Sequence, residues 1–193
     1  MNNIVFETPL CEIAYKYGVD RCPQINHSYT PFYYELLKDM RESVKKVVEL
    51  GVGSRNIMAS SPPQYRAGAG LYMWQEFFPN AQIFGIDIDP DAMMEDERIK
   101  TFLLDERKEE DLDILIEKTG TDIDLFIDDA CHWGCIQIPV CLYLMPKLKK
   151  DVIYVIEDVL NPRFMVRQLR QYDCQIFQPS SCKADGLTVV RCK

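Results

Sequence analysis

Residues 122–134 read DIDLFIDDACHWG. An apolar run closes on two adjacent aspartates, Asp128 and Asp129, and a histidine, His132, follows three positions after the second. Residues 151–158, DVIYVIED, repeat the design: a β-branched apolar run that closes on Glu157 and Asp158. Continuous apolar runs of this length, bounded by polar residues, suit strands buried on both faces.

The same unit recurs upstream. KVVEL (46–50) is stopped by GVG, QIFGIDID (82–89) follows, then IKTFLLD (99–105). Helical stretches separate them. LYMWQEFF places Leu71, Trp74 and Phe78 at helical spacing, and residues 109–120 end on Gly120, a common helix terminator. Residues 135–148 form an apolar helix carrying Pro139, and residues 162–172 form a helix with Pro162 at its first position. Residues 32–43 also have helical spacing, whereas 54–70 is a polar loop with a Pro-Pro pair. The last two strands, CQIFQ and LTVVRC, have no helix between them and should pair as an antiparallel hairpin. The expectation is an α/β fold: a seven-stranded, mostly parallel sheet with helices on both faces and a C-terminal antiparallel hairpin. Residues 1–43 form an N-terminal helical segment and 44–193 the sheet domain, within one compact unit.

The chain has 193 residues and a net charge of −8. No basic stripe stands out, which argues against a nucleic-acid partner. No apolar run reaches the roughly 18 residues of a membrane helix, and the first residues lack a basic leader. A cytoplasmic protein is expected, with no membrane association and with homo-oligomerisation left open. The eight cysteines include no CxxC pair, so they read as reduced thiols rather than a zinc site or a disulfide frame.

In an open parallel sheet, ligands bind beyond the carboxyl ends of the strands. All five parallel strands end in acids: Glu49, Asp87, Asp105, Asp128 with Asp129, and Glu157 with Asp158. Carboxylates crowded at one rim repel one another unless something positive binds there. Gly51 and Gly53 let the backbone approach a ligand closely. The dinucleotide fingerprint is incomplete, because Asn56 stands where its third glycine belongs and the next helix is delayed. Glu49 suits a cationic ligand, and Asp87 is placed to accept from ribose hydroxyls. A ribose, a positive charge and no phosphate describe S-adenosylmethionine.

The segments VVELGVGS, LYMWQEFFPNAQIFGIDIDP, DLFIDDACHWG and VIYVIEDV together resemble class I S-adenosylmethionine-dependent methyltransferases. Within that class they are most similar to metal-dependent sugar O-methyltransferases of macrolide biosynthesis. The upstream segment KYGVDR…NHSYTPFYYELL (16–37) shares the resemblance, which covers roughly residues 14–160. It implies a Rossmann-like fold, S-adenosylmethionine and a divalent metal (Mg²⁺) as cofactors, and a small-molecule or glycan acceptor. It assigns cofactor contacts to Glu49, Gly51, Gly53, Asp87 and Asp105, and a position closing over the cofactor to Tyr29. Asp129 and Asp158 become metal ligands, and His132 the general base. Asp128 competes with Asp129; strand alternation turns the two apart and leaves Asp128 to the cofactor or to a backbone amide. The chain departs from the family at 148–151, where LKKD replaces a KPGG pattern, and in loop 54–70. Family members are often longer.

The chemistry is coherent. A sugar hydroxyl is a poor nucleophile until a divalent ion lowers its pKa and a base takes its proton. Two carboxylates suit Mg²⁺. With His132 opening a helix, the dipole is expected to keep the imidazole neutral. His27 either lines the acceptor pocket or caps a helix. Trp133 either stacks on a sugar or packs in the core, and Met58, Tyr65 and Arg66 either touch the acceptor or lie in solvent. A catechol-like acceptor, a non-catalytic binding module and a nicotinamide dehydrogenase are the alternatives, the last disfavoured by Asn56.

Overall fold

A computed structural model describes residues 4–56, 62–63, 65–179 and 186–193. The order of elements is α1 (Pro9–Tyr17), α2 (Thr30–Leu37), β1 (Lys46–Leu50), α3 (Ala69–Phe77), β2 (Gln82–Asp87), β3 (Glu95–Asp96), β4 (Ile99–Leu103) and α4 (Glu109–Thr119), then β5 (Leu125–Asp128), α5 (Gly134–Leu144), β6 (Ile153–Ile156), α6 (Pro162–Gln168), β7 (Asp173–Phe177) and β8 (Leu187–Arg191). The strands form one sheet in the order β3-β4-β2-β1-β5-β6-β8-β7. Strands β4, β2, β1, β5 and β6 run parallel, and β8 and β7 close the far side as an antiparallel hairpin.

The sheet has eight strands rather than the seven expected. The extra one, β3, is two residues long and pairs antiparallel with β4. Two acids carry no hydrophobic alternation, so no pattern marks them. The parallel strands are also shorter than expected, and β5 stops at Asp128. Asp129, Glu157 and Asp158 therefore stand on the rim loops rather than in the ladder. Helix α1, which lacks a separate sequence signal in the reading above, starts on Thr8 as N-cap and Pro9, and ends at Gly18 with φ 76°.

Strand alternation divides the core. Val47, Ile83, Leu125, Ile127, Ile153 and Val155 face α1, α2 and α3, where Leu71, Trp74 and Phe77 pack on them. Val48, Leu50, Ile86, Phe126, Tyr154 and Ile156 face α4, α5 and α6, with Leu112, Leu115, Val140 and Leu144. Pro139 lies inside α5, whose ladder it interrupts at one bond.

At β1 the order of strands reverses: its neighbours are β2 on one side and β5 on the other. A crevice opens at such a point because the connections leave in opposite directions. Gly51 forms its floor. Its φ is 85°, and a Cβ there would stand 2.2 Å from the Asp129 carbonyl oxygen. Its N–H donates to the Ile86 carbonyl at 2.8 Å, and the Asp129 N–H donates to the Leu50 carbonyl at 2.9 Å, so neither loop can retreat cheaply. Gly51→Ala combines a left-handed backbone with an impossible contact. It should cost about 2–5 kcal/mol of unfolding free energy in urea titrations; a midpoint equal to wild type contradicts the close approach.

Candidate active site

A cavity of about 360 Å³ opens over the carboxyl ends of β1, β2, β5 and β6. Glu49, Gly51 and Gly53 line it on one side, and Asp129, His132 and Asp158 on the other. Asp87 closes the β2 edge. One of its oxygens accepts from the N–H groups of Val52 and Gly53 at 2.9 and 3.0 Å, and the other from Asp89 N–H at 2.9 Å. Gly53 has φ 76°, which turns its N–H onto that carboxylate. The Tyr65 hydroxyl donates to the Gly53 carbonyl at 3.1 Å, so Tyr65 belongs to the cavity wall rather than to a solvated loop. Met58, also considered for the acceptor, lies outside the described residues, as does Cys182.

The residue that organises the rim is Arg21, which the sequence reading did not single out. Its side chain is 3% exposed. Nε donates to both oxygens of Glu157 at 2.8 Å, and Nη2 donates to Glu49 at 3.1 Å and to Asp129 at 2.6 Å. Trp74 Nε1 donates to the second oxygen of Glu49 at 2.6 Å, and the Tyr33 hydroxyl donates to Glu157 at 2.5 Å. A side chain at position 70 would collide with this cluster. A Cβ there stands 2.6 Å from Glu49 Oε1 and 2.8 Å from Arg21 Nη1, so glycine at 70 clears the space. Burial pushes the Glu49 and Glu157 carboxyls up, and the guanidinium pulls both back down.

Asp129 and Asp158 flank His132. The Asp129 Oδ1 atom lies 3.4 Å from Nε2, and Asp158 Oδ2 lies 3.5 Å from Nδ1. One ligand atom from each of the three residues falls within 4.8 Å of the others. Asp158 sits at φ 50°, a backbone strain of the kind that gathers at functional positions. The Tyr29 hydroxyl donates to its Oδ1 at 2.6 Å. Asp20 also lines the cavity; burial and the nearby Asp129 charge raise its carboxyl.

Several expectations change. Asp128 shares a face with Phe126, away from the cavity; it is 1% exposed, contacts the Tyr154 hydroxyl at 3.3 Å, and burial raises it to about 7. It does not line the cavity, because its neighbour on the strand end takes the outward position. Asp105 does not line it either. Its carboxylate is held by Arg107 Nε at 2.7 Å and Nη2 at 2.8 Å, which lowers it to about 2, and Glu106 with Arg107 line the wall instead. Tyr29 is 1% exposed and reaches Asp158 rather than the cavity. Glu49 lines the cavity, but both its oxygens are engaged. His132 precedes the α5 N-cap, Trp133, and stands beside two carboxylates, whose effect opposes that of the helix dipole. The hydrogen bond to Asp129, opposed by burial and reinforced by the Asp129 and Asp158 charges, raises it to about 9. Trp133 is 69% exposed and so is not a core residue, and His27 stacks on Tyr29 with ring centroids 4.9 Å apart.

No family profile matches the chain. It is 33% identical over 133 residues to the mycinamicin VI 2''-O-methyltransferase of Micromonospora griseorubida, covering 69% of this chain and 32% of that one. It is 29% identical over 150 residues to the 8-demethyl-8-alpha-L-rhamnosyl tetracenomycin-C 2'-O-methyltransferase of Streptomyces olivaceus, covering 78% and 37%. A methyltransferase of the mycinamicin pathway, solved in complex with Mg, SAH and mycinamicin VI, superposes with a TM-score of 0.75 at 24% identity, covering 95% of this chain and 54% of that one. The chain has the class I methyltransferase fold and is homologous to these sugar O-methyltransferases. It spans about a third of the length of the curated relatives it matches. Of the described helices of this methyltransferase homologue, none is long and apolar enough to cross a membrane.

The imidazole gives a direct check on the geometry. In metal-free protein its proton should be lost near pH 9 in a two-dimensional NMR titration. Since the folded value lies above the unfolded one, about 6.5, this pairing stabilises the fold below about pH 6.5 and ceases to do so as pH rises through about 9. Asp129→Asn and Asp158→Asn should each bring the titration back toward 6.5; an unmoved His132 contradicts the flanked arrangement.

Proposed function

We propose that the chain is an S-adenosylmethionine-dependent O-methyltransferase acting on a sugar hydroxyl of a glycan, glycolipid or glycosylated small molecule, assisted by a divalent cation and a histidine base. The observation that carries this reading is the convergence of Asp129, His132 and Asp158 on one wall of a cavity whose other wall holds the Gly51–Gly53 turn and Asp87. Homology to O-methyltransferases acting on glycosylated macrolide and tetracenomycin compounds supports the acceptor class.

The residues present fit a small hard cation. Two carboxylates each offer one oxygen toward a common point, as Mg²⁺ requires of a protein that leaves several waters in place. Six carboxylates line the cavity, against Arg21, Arg107 and His132 as its basic side chains. That excess suits a sulfonium and a divalent ion together. A divalent ion held by Asp129 and Asp158 would supply a lowered pKa and a fixed direction to an acceptor hydroxyl. S-adenosylmethionine supplies the methyl group on a cationic sulfur.

The protein's own part is to hold and to accept. Gly51 and Gly53 admit the cofactor close to the backbone. Asp87, pre-set by three backbone amides, takes the ribose hydroxyls. Glu49, oriented by Arg21 on one oxygen and Trp74 on the other, adds negative charge at the cavity wall. Asp129 and Asp158 would hold the cation that orients the acceptor hydroxyl; with their charge engaged there, they no longer favour the imidazolium, and His132, 44% exposed, is free to take the hydroxyl proton and release it toward solvent. The N-terminal segment, described from residue 4, belongs to this unit and covers the site through Asp20, Arg21 and Tyr29. The described cysteines are all free thiols, which supports a reducing, cytoplasmic setting.

His132→Ala should lower turnover of a glycoside acceptor by about 10²–10⁴-fold while S-adenosylmethionine binding in calorimetry stays near wild type. Full turnover in that variant contradicts the base, and full wild-type activity in excess EDTA contradicts the cation. The 4.8 Å grouping favours one other arrangement, in which His132 is itself a ligand; loss of Mn²⁺ affinity in His132→Ala selects it. Turnover of catechols but not of glycosides would move the acceptor to the phenolic class.

A further inference from the structure

Each candidate ligand carboxylate has two oxygens with different partners. In Asp129, Oδ2 accepts from the buried Arg21 guanidinium at 2.6 Å, while Oδ1 faces the imidazole at 3.4 Å. In Asp158, Oδ1 accepts from the Tyr29 hydroxyl at 2.6 Å, while Oδ2 lies 3.5 Å from Nδ1 of the same imidazole. Both donors belong to the stretch between α1 and α2, and both acceptors to rim loops of the sheet.

We propose that Arg21 and Tyr29 are positioning residues of the cation site: each pins one oxygen of a ligand carboxylate and so turns the other toward the shared point beside His132. The inference rests on the reading of Asp129 and Asp158 as cation ligands.

The geometry around Arg21 separates this role from charge neutralisation alone. Nε is anchored on both oxygens of Glu157, itself held by Tyr33. Nη2 also rests on Glu49, itself held by Trp74. Glu49 and Glu157 are 2% and 1% exposed, so the guanidinium plane is fixed from two sides before it meets Asp129, which is 21% exposed at the side chain. A planar fork with donors in fixed directions serves three carboxylates at once; a single ammonium on a flexible stem does not. Tyr29 is fixed likewise. Its ring is buried and stacks on His27 at 11° between planes, so the hydroxyl has one direction to point. Outer partners of this kind set ligand orientation in metal sites, and their loss costs about 10–100-fold in metal affinity. A further consequence is that the ligand set is complete only with residues 18–30 seated on the rim.

The test is Mn²⁺ binding to the full chain, followed by electron paramagnetic resonance of the free ion, with S-adenosylhomocysteine present. Tyr29→Phe, Arg21→Lys and a control, Tyr17→Phe, are compared with wild type, with thermal melting of each. Tyr17 donates to Glu76 at 2.6 Å, and neither residue lines the cavity. The expected result is Mn²⁺ affinity lower by about 10–100-fold in Tyr29→Phe and Arg21→Lys and unchanged in Tyr17→Phe. Tyr29→Phe should melt close to wild type, and it decides the question if Arg21→Lys does not fold. Wild-type Mn²⁺ affinity in a folded Tyr29→Phe overturns the proposal, as does a loss shared by Tyr17→Phe. If wild-type protein shows no saturable Mn²⁺ binding, the underlying cation reading falls instead, and this proposal with it.

Discussion

The site depends on one buried guanidinium. Glu49, Asp129 and Glu157 come from the ends of three adjacent strands, β1, β5 and β6, and parallel pairing brings those ends side by side. Three carboxylates so placed repel one another in a medium of low dielectric. Arg21 compensates them from the N-terminal segment, with four hydrogen bonds of 2.6–3.1 Å. Removing one partner from a buried ionic cluster of this kind typically costs about 3–5 kcal/mol, because the charges left behind are unpaired. The segment that carries Arg21 is thereby tied to the sheet by electrostatics as well as by the packing of α1 and α2 on α3.

One arginine does not balance the rim. Asp20, Asp87, Glu106 and Asp158 remain at the cavity, and Asp129 and Asp158 raise the pKa of His132 in the metal-free chain. Strained backbone at Asp158 and left-handed glycines at 51 and 53 mark the same place. A rim built with surplus negative charge and open backbone is suited to a cationic cofactor and a divalent ion. This is the physical content behind the homology to sugar O-methyltransferases. The relatives are about three times as long as the stretch they share with this chain.

Much of this was legible in residue order. Apolar runs closing on acids gave the parallel strands, and a histidine three positions after Asp129 pointed to the wall that the fold assembles with Asp158. What escaped depends on contacts across long sequence distances. Arg21 pairs with residues 28, 108 and 136 positions away, and nothing local in KYGVDR marks it. The available clue was the rim itself, since so many buried acids require a buried cation from elsewhere in the chain. For Asp128 the backbone-amide alternative is the one the fold takes, through Ala130, whereas Asp105 stands outside the cavity lining for a local reason. Where a strand stops decides which of two adjacent acids turns outward, and a neighbouring Arg107 captures Asp105 before it can reach the cavity. The two-residue β3 and the charge state of His132 are set by tertiary pairing and by flanking carboxylates, neither of which has a sequence signature.

Asp129 and Asp158 are proposed to share one divalent cation beside His132. Anomalous diffraction from crystals grown with Mn²⁺ and S-adenosylhomocysteine tests it most directly. One strong peak is expected within coordination distance of Asp129 Oδ1 and Asp158 Oδ2, with Arg21 and Tyr29 still on the opposite oxygens. A peak on other carboxylates, or a cofactor-bound site with no peak at saturating Mn²⁺, contradicts it.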